Sequence, residues 1–224
     1  MLQCGGSILS NNIILTAAHC LKRTNNILVK VIVYYNTSEA LHGPKSYVNR
    51  VIVHPQYKNV NMGYDIALMS LVEPLRYDAY VRPICLPKKA RTLDETPALA
   101  SGWGYTNPAG NPSRNLLYVV LKVLPDQKCK SALYDTEAWK VSSSMLLCTH
   151  TPGKDICMGD SGGPLTVWNE NGLSEVVGIV SFTFECGSHR YPSGFTRVSA
   201  FTEWIDNSIK SPQNWKELPV AFID

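Results

Sequence analysis

The sequence predicts an antiparallel all-β protein with helix mainly near its end, and three observations predict it. Short β-branched and aromatic runs recur along the 224 residues, at Ile13 to Thr16, Ile27 to Tyr35, Tyr47 to Val53, Ile66 to Leu71, Leu117 to Val123 and Val176 to Phe182. Between them lie segments such as Asn107-Pro108-Ala109-Gly110-Asn111-Pro112 and Trp168 to Gly172, whose Gly, Pro and Asn residues favour tight reversals. Val198, Phe201, Ile205 and Ile209 recur at helical spacing and are expected to lay one apolar face on the body of the protein. From Ser211 onward the chain reads as a loose tail. There is no internal repeat, low-complexity tract or Ser/Gly-rich linker, so any second unit must pack directly against the first.

Composition narrows the function classes. A hydrophobic content of 45% over 224 residues suffices for one compact unit or two small packed ones. No stretch approaches the roughly 18 consecutive apolar residues of a membrane-spanning helix, and Met1 does not open a signal peptide. The net charge of +3 arises from 21 basic and 18 acidic residues without a clustered basic stripe, which argues against nucleic acid as a partner. Seven cysteines fit neither a CxxC redox centre nor paired zinc-ligand spacings, so no metal is expected and disulfides are. Disulfides imply an oxidising, secreted or extracellular setting, which the glycosylation sequon Asn36-Thr37-Ser38 also suits.

The strongest local signal is Gly159-Asp160-Ser161-Gly162-Gly163-Pro164, which average composition would produce in a chain of this length only on the order of once in 10⁵. Glycines around a serine let the backbone bend so that Oγ projects outward and successive N–H groups converge where an oxyanion could sit. A plain β-turn has no need of six specified residues. A serine hydroxyl is a poor nucleophile without a base, so the reading requires a histidine and an orienting carboxylate. Thr16-Ala17-Ala18-His19-Cys20 places a histidine just past an apolar strand, and Asp65-Ile66-Ala67-Leu68 places a carboxylate at the start of another. Alone, the first would be a satisfied structural histidine and the second a turn cap. The serine motif changes both readings.

These segments, together with Cys4-Gly5-Gly6-Ser7 and Gly102-Trp103-Gly104, stand in the order found in the chymotrypsin/trypsin family, which the chain resembles over about residues 2 to 210. The resemblance implies two packed six-stranded antiparallel β-barrels, at roughly 1-95 and 96-197, then a C-terminal helix at 198-210 and a tail at 211-224. It also implies a serine endopeptidase with His19, Asp65 and Ser161 as catalytic triad, the N–H groups of Gly159 and Ser161 as oxyanion hole, and no cofactor. Protein or peptide substrates and protease inhibitors are the implied partners. An α/β-hydrolase would need a GxSxG elbow and the order Ser, Asp, His. Neither is present.

By the same resemblance Asp155 sits at the base of the specificity pocket, which favours cleavage after Arg or Lys. Ile156, Ser181, Phe182, Thr183 and Ser193 join it as substrate contacts. Thr183 and Ser193 stand where the family usually has glycine, Ile156 replaces a small residue and Phe182 replaces a tryptophan, so a narrowed pocket with Arg favoured over Lys is expected. The resemblance also implies the disulfides Cys4–Cys20, Cys129–Cys148 and Cys157–Cys186. Cys85 is left over, at a position that in two-chain members holds a pro-segment or upstream region. A further family disulfide is lost at both ends, at Ala98 and Val167.

Asp160 is implied to pair with the amino terminus released by activation cleavage. Only Met1, Leu2 and Gln3 precede Cys4, where the family has an Ile-Val-Gly-Gly start and a first strand. The first barrel therefore reads as N-terminally truncated, and the chain as given is expected to be inactive or nearly so. The competing reading is a non-catalytic homologue that acts by binding partners.

Overall fold

The computed structural model describes residues 4–23, 26–27, 30–107 and 109–218, with the side chains of Arg23, Asn26, Ile27 and Trp139 outside that description. The first half carries strands β1 (Ser7–Ile8) and β2 (Ile13–Thr16), the helical turn α1 (Ala18–Leu21), and the short strands β3 (Lys22–Arg23) and β4 (Asn26–Ile27). It continues with β5 (Ile32–Tyr34), β6 (Lys45–Val53) and β7 (Ala67–Leu71). The second half carries β8 (Pro97–Gly102), β9 (Leu117–Lys122), helix α2 (Asp126–Ala132), β10 (Leu146–Thr149), β11 (Pro164–Trp168), β12 (Ser174–Phe182) and β13 (Ser193–Arg197). Helix α3 (Thr202–Lys210) and strand β14 (Lys216–Glu217) follow.

Twelve of these strands form two six-stranded antiparallel sheets, consistent with a two-barrel fold. In the second, ordered β10-β13-β12-β11-β8-β9, the curl brings the end of β9 back to β10, where Val123 bridges Thr149 and the Leu124 N–H donates to the Cys148 carbonyl at 2.8 Å. The first runs β1-β2-β7-β6-β14, with β5 pairing the near end of β6, and forms a half-barrel. Every residue of β2 and β7 is buried, as expected of strands covered on both faces. One apolar cluster fills the first sheet around Val48, Val51 and Met69, and another the second around Leu121, Leu165 and Phe195. A third joins Leu15, Ile66 and Leu68 to Val176, Ile179, Phe201 and Ile205, gluing the two halves face to face.

The run expected as one strand from Ile27 to Tyr35 is divided between β4 and β5, and its residues 28 and 29 lie outside the described set, as do Pro108, residues 1–3 and residues 219–224. In α3 the buried face holds Ile205 and Ser208, whereas Ile209, expected on that face, is exposed. The tail supplies the reason. The segment from Ser211, expected to hang loose, is packed as far as Leu218. Its buried Trp215 donates its indole N–H to the Ser208 carbonyl at 2.8 Å, which draws that side of the helix inward. Lys216 and Glu217 then pair with Val51 and Arg50 of β6, and Leu218 joins the core of the first sheet. The tail thus straps the helix to the first half. Trp215→Ala is expected to lower stability by about 3 to 5 kcal/mol, the usual loss for a buried aromatic, measurable as a lower urea midpoint; a change under about 1 kcal/mol would show that the strap contributes little.

Candidate active site

Register alone brings two site residues together. Thr16 at the end of β2 pairs with Ala67 at the start of β7, so the segments carrying His19 and Asp65 emerge at the same end of the sheet. After Thr16, the side chains of Ala17 and Ala18 are fully buried, and α1 turns His19 back over them. The Cys4–Cys20 disulfide ties that turn to β1's approach. Before Asp65 the backbone passes through left-handed conformations at Gly63 (φ 77°) and Tyr64 (φ 58°). A non-glycine residue held there is strained, and such strain persists only where surroundings enforce it. Here the Tyr64 ring stacks on His54 at 4.9 Å and meets the edge of Phe201 at 6.1 Å.

The two side chains meet closely. His19 Nδ1 lies 2.7 Å from Asp65 Oδ2, with the carboxylate side chain 1% exposed and the imidazole 22% exposed. Asp65 is fully engaged: Oδ1 accepts the His19 backbone N–H at 2.9 Å, and Oδ2 also accepts the Ser181 hydroxyl at 2.6 Å. Thr196 Oγ1 donates to the Asp65 carbonyl at 2.8 Å. Burial, reinforced by the Asp65 charge, pushes the Tyr57 phenol well above its usual range, so this tyrosine stays neutral beside the pair. The contact through Nδ1 orients the imidazole with its Nε2 edge away from the carboxylate.

The serine loop is pressed against this same corner. The Gly5 N–H donates to the Ser161 carbonyl at 2.7 Å. Gly162, at φ 76°, lies so close to Thr16 Oγ1 and the Gly5 carbonyl that a side chain there would collide with both. Gly159, at φ 95°, supplies the other left-handed position. The N–H groups of Gly159 and Ser161 donate to no acceptor among the described residues. No hydrogen bond joins His19 Nε2 to Ser161 Oγ among the described residues.

Asp160 is held by backbone N–H groups on both of its oxygens. Its Oδ1 accepts the Gly104 N–H at 2.8 Å and its Oδ2 the Cys157 N–H at 2.9 Å. A Cβ on Gly104 would stand 2.6 Å from the carboxylate, and one on Gly102 would overlap it, which explains both glycines of Gly102-Trp103-Gly104. Burial raises the Asp160 carboxyl, its two N–H donors oppose this, and the nearby Asp155 charge adds to the rise. No cation faces it among the described residues. A cavity of about 440 Å³, lined by Gly102, Gly104, Tyr118, Asp155, Asp160 and Gly187 among others, opens beside it.

Asp155 is likewise raised by burial, against hydrogen bonds that lower it, first from Ser193 and then from the Ile156 and Gly187 N–H groups and Thr183. Phe182 lays its ring against Gly194, filling the space a side chain there would take. The hydroxyl of Ser181, a residue expected among the substrate contacts, donates to Asp65. The disulfides are Cys4–Cys20, Cys129–Cys148 and Cys157–Cys186, the pairing the resemblance implies. Cys85 is a half-buried free thiol whose backbone bridges Glu175. Asn36 is exposed in a left-handed turn at φ 51°. The sequence reading missed Thr196 as a support of the pair; no local motif marks it.

Two packed β units, a buried aspartate–imidazole pair and a glycine-flanked serine loop set against it define a class, the two-barrel serine proteases. The chain belongs to the trypsin family, whose model, described as "Trypsin", matches residues 1–205. It is 33% identical to the clotting factor G beta subunit of Tachypleus tridentatus over 90% of this chain and 69% of that protein. It is 33% identical to the venom peptide isomerase heavy chain of Agelenopsis aperta over 92% and 87%. Against coagulation factor XI of Bos taurus it is 32% identical over 93% of this chain and 34% of that protein.

Proposed function

We propose that this protein is a serine endopeptidase that cleaves peptide bonds after Arg or Lys through an acyl-enzyme. The observation that carries the reading is the 2.7 Å contact of His19 Nδ1 with the buried Asp65 Oδ2, at the corner against which the Ser161 loop is held. In this mechanism Ser161 Oγ attacks the scissile carbonyl carbon while His19 Nε2 takes its proton. Asp65 holds the imidazole and stabilises the imidazolium. The N–H groups of Gly159 and Ser161 receive the negative oxygen of the tetrahedral intermediate. His19 then gives the proton to the leaving amine, and water hydrolyses the acyl-Ser161 ester by the same steps.

Asp155 is the partner of the substrate's cationic side chain, with Ile156, Phe182, Thr183 and Ser193 around it. Asp160 receives an ammonium group in the adjoining cavity, an amino terminus produced by activation cleavage, and so orders the Cys157–Gly159 stretch. Cys85 links a pro-segment or upstream region. The three disulfides support a secreted or extracellular setting with protease inhibitors among the partners, and the exposed Asn36 supports glycosylation. Among the described residues no helix is long and apolar enough to cross a membrane.

Fluorophosphonate labelling of the full-length, processed protein tests the chemistry, with modification expected at Ser161. Absence of label under conditions that modify trypsin would favour a non-catalytic, partner-binding homologue. Peptide-library profiling tests the specificity, and a dominant preference for small aliphatic residues would remove Asp155 from its role.

A further inference from the structure

The lower end of the specificity pocket differs from an open slot in a chemical way, beyond the loss of room. Asp155 Oδ1 accepts the Ile156 N–H at 2.8 Å and the Ser193 hydroxyl at 2.6 Å. Its Oδ2 accepts the Gly187 N–H at 3.2 Å and, more weakly, the Thr183 hydroxyl at 3.4 Å. An ionised carboxylate has about four acceptor directions, so this one is already satisfied before any substrate arrives. The donors are not equivalent. Two are backbone groups fixed by the chain. Thr183 shares its hydroxyl with the Glu185 carbonyl at 3.2 Å and is loosely held. Ser193 makes the shortest bond of the set from a side chain 1% exposed, on β13, where pairing with Thr149 of β10 holds its backbone in place.

We propose that Ser193 is an internal cap on Asp155: a cationic substrate side chain reaches the carboxylate only by displacing the Ser193 hydroxyl, which makes Ser193 a determinant of specificity. The proposal rests on the reading of Asp155 as the substrate's partner. Displacement separates the two basic side chains. A guanidinium brings two N–H groups in a fixed fork and, with the loosely held Thr183 hydroxyl also yielding on Oδ2, replaces the lost bonds with two charge-assisted ones. An ammonium brings a single point charge, is shorter, and meets the apolar Ile156 on the wall, so it recovers less. The capped site therefore takes both cations weakly and guanidinium over ammonium, while a small neutral side chain, which never reaches Asp155, is indifferent to the cap.

The test uses the full-length, processed protein, with enzyme concentrations set by active-site titration. Matched ester substrates ending in Arg, Lys or Ala are compared on wild type and on the Ser193→Ala, Ser193→Gly and Asp155→Ala variants. The expected result for Ser193→Ala is a rise of at least about tenfold in kcat/KM for Arg, mainly through KM. A larger rise is expected for Lys, so that the Arg/Lys ratio falls. Ser193→Gly should do the same and adds room; it also serves if the alanine variant is poorly folded. Binding of benzamidine, followed by calorimetry, should tighten in parallel without depending on turnover. Unchanged or weaker benzamidine binding and an unchanged Arg/Lys ratio in both Ser193 variants would overturn the cap. Failure of the underlying reading looks different: Asp155→Ala would then keep the wild-type preference for basic residues.

Discussion

Ser161→Ala is expected to reduce kcat on a peptide substrate by about five to six orders of magnitude with the thermal midpoint nearly unchanged. Ser161 contributes its carbonyl to the packing, through the Gly5 N–H, and its hydroxyl is free of structural bonds among the described residues. Removing Oγ therefore deletes the nucleophile and little else. Asp65→Asn should fall by about four orders. An amide can present its one oxygen to either the His19 backbone N–H or the Nδ1 side, not both, and its NH₂ would face donors that now point at Asp65. The wrong imidazole tautomer follows. Because either the Ser181 hydroxyl or the His19 N–H loses its acceptor, this variant should also melt lower than Ser161→Ala. Single-turnover kinetics beside calorimetry would read both effects. Retention of activity within tenfold in the serine variant would reject the mechanism outright.

The second large effect is expected at Asp160, far from the scissile bond in role though adjacent in sequence. Its carboxylate pins Gly104 on one side and Cys157 on the other, and Cys157 stands two residues before Gly159, proposed above as an oxyanion donor. Asp160→Asn leaves one of these N–H groups without its acceptor and loosens that stretch. A drop of about 10² to 10³ in kcat is expected, the loss typical of one oxyanion donor. Stability should move the other way wherever the cavity holds no ammonium. An acid whose carboxyl is raised on folding keeps its proton more readily in the native state, so stability falls as pH rises from the ordinary carboxylate range through the raised value. The asparagine variant lacks that slope. The melting temperature of the variant minus that of wild type should therefore grow between pH 3 and pH 7, whereas a difference independent of pH would show that the carboxyl is not destabilised by burial.

The sequence made some of this legible because chemistry demanded compact motifs. Gly159 to Pro164 needs glycine on both sides of the serine for backbone reasons that act over a few residues, and Gly159 and Gly162 take up left-handed conformations. The runs that became β2, β6, β7 and β12 carry enough Val, Ile and Leu to show without context. Strand β8 is Pro-Ala-Leu-Ala-Ser-Gly, whose small side chains have no strand signal of their own; its form comes from pairing with β9 and β11. Helix α2 buries only Cys129 among seven mostly polar residues, too little to show a periodicity. Contacts between distant positions left no local trace. Asp160 needs Gly104, 56 residues earlier, and Asp65 needs Ser181 and Thr196, more than a hundred residues later. The tail misled for the opposite reason: Pro212, Gln213, Asn214 and Lys216 look solvated, and the two side chains that anchor it, Trp215 and Leu218, are isolated among them.

That strap sets an order on assembly. The edge of β6 at Arg50 and Val51 is met by β14, about 160 residues further along the chain. While the protein is being synthesised, β1, β2, β6 and β7 can pair soon after they leave the ribosome, but the outer edge of β6 must wait until nearly all of the second sheet and α3 have emerged. At the general pace of about 5 to 20 residues per second, that interval is on the order of ten to thirty seconds. During it the first half presents an open strand edge flanked by Val48 and Val51, an invitation to pair with a neighbouring nascent chain. The early half of the molecule thus matures only on the arrival of the late half, and its vulnerability to misassembly is a matter of timing rather than of final stability.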